Sequence, residues 1–284
     1  FHALTEYQDP NTLRDRIKKF IAMYIACGID PEKVVVYIQS DNEYIPMISW
    51  ILECNTYYGE ASRMIQFKEK SKGKENFTVG LLTYPILMAA DILYCDSDFV
   101  PVGIDQKQHV EIARDIAERF NNKYGQTFKL PQPLISKEGV KIKDLKDPTK
   151  KMSKSETNPN GVISLFDSPE MVTKKIMGAT TDSENLVYFD EENKPGISNL
   201  LNIASVISKR TTEDIANEYK TAGYGNFKKY VASLTSQMIS DIQEKYNHII
   251  SSGKLEEILN KGKENSRKLA YEKMNQMKKK VGLN

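Results

Sequence analysis

Asp147-Pro148-Thr149-Lys150-Lys151-Met152-Ser153-Lys154-Ser155 sets three ammonium groups among three hydroxyls directly after an Asp-Pro turn signal. Cations at that spacing repel one another unless an anion sits between them, and the small serines let backbone N–H groups reach the same anion. A polyphosphate is the natural guest. On the lysines alone, a solvated basic loop accounts for the run equally well.

A second group with chemistry in it is Leu81-Leu82-Thr83-Tyr84-Pro85-Ile86-Leu87-Met88-Ala89-Ala90-Asp91-Ile92-Leu93. Pro85 suits the first turn of a helix, and Tyr84, Met88 and Asp91 then fall at i, i+4 and i+7 on one face. In solvent, that stripe would expose apolar area. In a core, Asp91 would carry an unpaired charge. A cleft wall resolves both: it holds a flat aromatic ligand while Asp91 accepts from a ring N–H. A structural Asp bonded to backbone amides is the competing explanation.

Further on, Asp98-Phe99-Val100-Pro101-Val102-Gly103 reads as a short strand ending in a glycine turn, and Ile104 to His109 opens a helix bearing Ile112, Ala113, Ile116, Ala117 and Phe120. Such a turn brings backbone N–H groups close to a nucleotide, with Asp105 placed to bind ribose hydroxyls. His109 shares the apolar face, so it reads equally as a hydrogen-bonded core histidine or a site residue, and is placed behind the residues that touch ligand. Arg63 to Lys74 is polar and lysine-rich. It is either a mobile solvated loop or a cationic arm, with Lys68 and Lys70 the residues nearest to such a role.

The elements that must hold these groups follow from periodicity. His2 to Thr5 looks like the end of a strand. Asp9-Pro10-Asn11-Thr12 caps a helix carrying Leu13, Ile17, Phe20, Ile21, Tyr24 and Ile25, and Gly28 stops it. Val34 to Ile38 reads as a buried parallel strand, and Ile45, Ile48, Ile51 and Leu52 as the next helix. This rhythm predicts an α/β fold, a Rossmann-like doubly wound parallel sheet with ligands at the strands' carboxyl ends. A strand at Ile142 leads into the lysine loop, and Asn158-Pro159-Asn160-Gly161 marks a change of domain. Beyond Ser168 the pattern is helical, with Lys174, Lys175, Lys209, Arg210, Lys228 and Lys229 expected on its surface. The expected division is 1–148 for the α/β domain, 149–157 for the loop and 158–284 for the helical domain.

Composition narrows the class. The chain of 284 residues has 40 Lys+Arg against 38 Asp+Glu, a formal charge of +2, so any nucleic-acid surface is a local patch. Cys27, Cys54 and Cys95 are far apart in apolar stretches and read as buried, reduced thiols of a cytoplasmic protein rather than metal ligands. No apolar run is long enough to span a membrane, and no signal-peptide pattern is present.

Lys151-Met152-Ser153-Lys154-Ser155 matches the KMSKS signature of class I aminoacyl-tRNA synthetases, and the whole chain resembles the bacterial-type tryptophanyl branch of that family. The shared runs include Gln66 to Lys70, Leu81 to Pro85, Met88 to Leu93, Val100 to Gly103, Asp105 to His109 and Lys194 to Leu201. The resemblance implies a homodimer with a Rossmann catalytic domain and a helical anticodon-binding domain, acting on L-tryptophan, Mg2+-bound ATP and tRNA(Trp). It implies that Asp91 accepts the indole N–H, that Met88, Tyr84, Val100, Val102 and Gln106 shape the amino acid pocket, and that His2 lies on its rim. It places Gly103, Ile104 and Asp105 on the nucleotide, Ile142 against adenine, and Lys151, Met152, Ser153, Lys154 and Ser155 on the phosphates, with Lys70 as an additional phosphate-reaching lysine. No structural metal is implied.

Three departures from the family pattern stand out. The counterpart of the HIGH signature is expected before residue 1, so a protein truncated there should activate ATP poorly. Ile104 replaces a frequent acidic residue, and Phe1 a polar one. A tyrosyl-tRNA synthetase shares the fold and loop, but Met88 and its Met-Ala-Ala-Asp-Ile-Leu context favour tryptophan. A noncatalytic RNA-binding relative would leave the intact loop and pocket face without a use.

Overall fold

The computed structural model describes residues 1–135, 139–153 and 158–283. Two compact units emerge, Phe1–Lys137 with Ser252–Asn284, and Glu138–Ser251. This division differs from the expected one at both ends. Leu145 is buried in the core of the second unit, and the last helix supplies Ala270, Met274 and Met277 to the core of the first.

In the first unit, α1 (Pro10–Ala26) opens as its sequence dictates: the Asp9 carboxylate accepts the Thr12 N–H at 2.8 Å and Pro10 occupies the first turn. There follow α2 (Tyr44–Glu53), α3 (Tyr58–Arg63), α4 (Ile65–Ser71), α5 (Val79–Leu93), β1 (Phe99–Pro101), α6 (Lys107–Tyr124) and β2 (Gln132–Leu134). The strands pair in parallel with Val100 opposite Pro133, and α6 makes the crossover between them. The core is built where α5 packs on both α2 and α6, burying Ile48 and Leu52, Ile86 and Leu93, and Ile116 and Phe120.

Helix α5 begins earlier than Pro85 suggests. Thr78 Oγ1 caps it by accepting the Leu81 N–H, so Pro85 lies in the interior and leaves the Leu81 carbonyl without its i+4 donor. The strand expected over Val34 to Ile38 is absent among the described residues. Val34 and Val35 are each 47% exposed, and the backbone of Val36 instead lies against the last helix. His2–Thr5 is a 3-10 turn rather than a strand end. The three cysteines are exposed, because Cys27 and Cys54 sit at helix carboxyl ends and Cys95 just beyond one, where the chain turns to solvent.

The second unit contains α7 (Pro169–Met177), α8 (Pro195–Ser208), α9 (Thr212–Tyr219) and α10 (Gly223–Ser251). Ser168 and Thr211 cap α7 and α9 through their hydroxyls. Helix α10 packs on α7 and α8, burying Phe227 and Val231 with Val172, Ile176, Ile197 and Leu200. Lys175 and Lys228 are not surface residues. Their stems are buried, and their ammonium groups end on Val162 O and Asp167 (2.7 and 2.6 Å) and on Ala179 O (2.7 Å).

Helix α11 (Lys254–Val281) returns to the first unit and packs on α2. Gly262 permits the approach: a Cβ there would meet the Val36 carbonyl oxygen at 1.9 Å. Lys273 pins the helix by donating to both Asp96 oxygens at 2.8 and 2.9 Å and to Thr127 O at 2.8 Å.

Candidate functional site

The stripe Tyr84, Met88 and Asp91 lies along α5. Tyr84, Met88 and Asp91 are each half-buried, and Tyr84, Met88, Val100 and Val102 pack against the same core, so their outer surfaces form an apolar face. Asp91 is oriented by a residue that periodicity did not reveal. Gln39, in the 3-10 turn Gln39–Asp41, donates its side-chain N–H to Asp91 Oδ2 at 2.6 Å. The other oxygen, Oδ1, is buried without a hydrogen-bond partner among the described residues. Burial raises the Asp91 carboxyl above its ordinary value, while the Gln39 bond and the nearby His2 ring oppose that rise.

His2 closes one edge of the face. Its ring meets Tyr84 edge-on with centroids 6.2 Å apart, and its Nδ1 lies 4.0 Å from Asp91 Oδ2. Behind Tyr84, the buried His109 holds the phenol oxygen at 3.1 Å. Burial, followed by the Lys70 charge, lowers the His109 pKa and favours the neutral ring. Lys70, from α4, sets its ammonium 5.3 Å from the Tyr84 ring centroid. His109 is therefore the core histidine behind the site that the sequence allowed for.

At the carboxyl end of β1 the chain turns through Gly103 into the 3-10 turn Ile104–Gln106. A Cβ on Gly103 would meet Asp105 Oδ1 at 2.6 Å, so glycine lets the Asp105 carboxylate fold back over the turn. Gln106 is half-buried and donates to Asp105 Oδ2 at 2.8 Å. Ile104 is 71% exposed. The end of a parallel strand followed by a helix start is where nucleotides bind in α/β sheets.

The lysine loop belongs to the second unit. The expected strand at Ile142 is a single antiparallel bridge, Lys143 to Lys151, made by Asp144 N–H to Lys150 O (3.0 Å) and Met152 N–H to Ile142 O (3.1 Å). Ile142 and Met152 pack against the second core, while Lys151 is exposed. Asp147 accepts from the Thr149 hydroxyl and backbone, which holds its carboxyl low and fixes the turn before the loop. Ser153 is described as half-buried; Lys154 and Ser155 lie outside the described residues. Among the described residues no three His, Cys, Asp or Glu side chains are grouped to hold a metal, and no helix is long and apolar enough to cross a membrane.

A parallel β-α-β unit with a carboxylate-bearing cleft wall, and a lysine-serine loop on a helical unit, are the parts of a class I synthetase. The family model for class I tRNA synthetases (W and Y) matches residues 1–240, and the chain belongs to that family. It is 48% identical over 282 residues to the tryptophan–tRNA ligase of Bacillus anthracis, covering 99% of this chain and 86% of that protein. The tryptophan–tRNA ligase of Bacillus subtilis (strain 168) is 46% identical with the same coverage. Among solved structures, the tryptophanyl-tRNA synthetase of Campylobacter jejuni complexed with ADP and tryptophan superposes with a TM-score of 0.85 at 36% identity, covering 99% of this chain and 87% of that one. The fold is accordingly the Rossmann-like parallel-sheet fold with a helical unit that the sequence predicts.

Proposed function

We propose that this chain is a tryptophan–tRNA ligase that joins L-tryptophan to tRNA(Trp) in two steps. In the first, a carboxylate oxygen of tryptophan attacks the α-phosphorus of Mg2+-bound ATP, and the bond from that phosphorus to the bridging oxygen breaks to release pyrophosphate. In the second, a hydroxyl of the terminal ribose of the tRNA attacks the acyl carbon of the adenylate and AMP leaves. No protein nucleophile takes part; the chain positions reactants and stabilises charge.

Asp91 Oδ1 accepts the indole N–H, and Tyr84, Met88, Val100 and Val102 cover the ring faces. Gln106 and His2 border the amino acid. Gly103 to Asp105 take the ribose and Ile142 the adenine, while Lys151, Met152, Ser153, Lys154 and Ser155, helped by Lys70, take the phosphates. Magnesium enters with ATP as substrate. The working form is a homodimer in the cytoplasm, with helices α7 to α10 of the second unit reading the tRNA.

The observation that carries this reading is the buried, unpartnered Oδ1 of Asp91 in an otherwise apolar wall. A site built to bond an N–H rejects ligands that cannot satisfy it. Pyrophosphate exchange into ATP by the full-length protein is expected with tryptophan and not with tyrosine. Preference for tyrosine would assign the chain to the other branch of its family, and no exchange with either would make it a noncatalytic RNA-binding relative. Lys154→Ala is expected to slow adenylate formation; an effect confined to tryptophan affinity would remove that residue from the phosphates.

A further inference from the structure

The Lys143–Lys151 bridge leaves the peptide groups of both its central residues to be satisfied elsewhere. In an antiparallel pair, residues that do not exchange hydrogen bonds with each other point their N–H and C=O away, toward where a third strand would lie. Lys143 is such a residue, since the bonds of the bridge are made by its neighbours Ile142 and Asp144. No third strand is present among the described residues. In its place stands the side chain of Asn199, 1% exposed on α8: its Oδ1 accepts the Lys143 N–H at 2.7 Å, and its Nδ2 donates to the Lys143 carbonyl at 2.8 Å.

One amide side chain thus copies the donor-acceptor pair of a peptide group, and it is itself held rigidly. Gly196 lies one turn earlier on the same face of α8, where a Cβ would meet Thr180 O at 2.0 Å, and the Thr180 N–H donates to Leu145 O at 2.8 Å. Helix α8 therefore meets the strand-like segment directly at Asn199, and at Gly196 it closes on Thr180, which is itself bonded to that segment. Lys151 sits across the bridge from Lys143, so its backbone position is set through Lys143 by Asn199.

We infer that Asn199 is a positioning residue for the phosphate-binding loop: by occupying the place of a missing strand it fixes the backbone from which Lys151 and Ser153 reach the nucleotide phosphates. The inference rests on the proposed role of that loop. It predicts that Asn199 acts on the rate of the chemical step and not on recognition of the amino acid.

The test is tryptophan-dependent pyrophosphate exchange by the full-length protein, with functional sites counted by the burst of adenylate formation. Asn199→Ala is expected to lower kcat per active site by roughly 10- to 100-fold, the scale of a misplaced catalytic group, with the tryptophan KM within about twofold of the parent. Asn199→Asp keeps the acceptor for Lys143 N–H but loses the donor, and an intermediate kcat is expected. A purely structural role would reduce the number of active sites and leave kcat per site unchanged, which would overturn the inference. If Asn199→Ala does not fold, the same comparison is made with Asn199→Asp, and an unchanged kcat per site there is equally fatal. Lys151→Ala separates the two levels. Normal exchange in that variant refutes the loop's role itself, whereas slow exchange there with a normal rate in the Asn199 variants refutes only the positioning.

Discussion

Gln39 donates to one oxygen of Asp91 at 2.6 Å and leaves the other oxygen of the same carboxylate buried and unpartnered. One oxygen is fixed by Gln39, and in the proposed function the other takes the indole N–H. Removing the acceptor by Asp91→Ala is expected to reduce kcat/KM for tryptophan by roughly 10- to 100-fold, the scale of a hydrogen bond to a charged group. The ATP KM should stay within about twofold. Exchange kinetics with each substrate varied in turn measure both, and an unaltered tryptophan kcat/KM would remove Asp91 from the pocket.

The same pair sets a pH dependence. Burial raises the Asp91 carboxyl above 3.8, so the protonated form persists to a higher pH than for an exposed Asp. Only the ionised group offers Oδ1 purely as an acceptor, so tryptophan affinity is expected to rise as pH increases through the raised pKa and to level off above it. Gln39→Leu removes a donor that opposes the rise, which moves the limb to higher pH and weakens affinity about fivefold or more at neutral pH. Tryptophan binding followed against pH in the parent, Gln39→Leu and Asp91→Ala is the check; the limb should be missing in the last.

Lys273 ties α11 to the loop residues Asp96 and Thr127 and is nearly fully buried. Lys273→Met keeps the apolar stem but leaves Asp96 and the Thr127 carbonyl without their cation. The expected loss is roughly 2–3 kcal/mol, below the range for a fully enclosed pair because Asp96 is partly exposed. Denaturant melts of the two proteins give the difference.

The second unit has its own acid-sensitive contact. Burial would raise the Asp182 carboxyl, but hydrogen bonds from Lys194 at 2.8 Å and from the Tyr224 hydroxyl overcome it and hold the group at about 2. A carboxyl depressed on folding contributes stability in full above its unfolded value of 3.8, and that stability is lost as pH falls through about 2. Melts between pH 5 and 2, about the span that linkage defines, should show an acid loss that Asp182→Asn suppresses.

The stripe of Tyr84, Met88 and Asp91 was legible because helical spacing alone puts the three on one face, and an aromatic, a thioether and a carboxylate together fit neither solvent nor core. Gln39 was not, since it arrives from an irregular segment and meets Asp91 only in three dimensions. Asn199 lay within a recognised run, but its partner, the Lys143 backbone, has no sequence signal. Periodicity also misread Val34 to Ile38: β-branched residues suit a strand, yet a strand needs a pairing neighbour, and here the backbone lies on α11. Lys175 and Lys228 show the same limit in reverse, because charge suggests a surface while their long stems reach buried carbonyls. For Pro85, the Thr78 cap outweighed the proline's preference for a first turn.

Helix α11 completes a core whose other walls come from residues 45–128, and Gly262 lets it lie directly on the Val36 backbone. During translation the early segment therefore leaves the ribosome with the seat for Ala270, Met274 and Met277 still open, and residues 138–251 must emerge before it can be filled. The helical unit, continuous in sequence, is free to fold first, while its elder neighbour waits with apolar surface uncovered for partners made later.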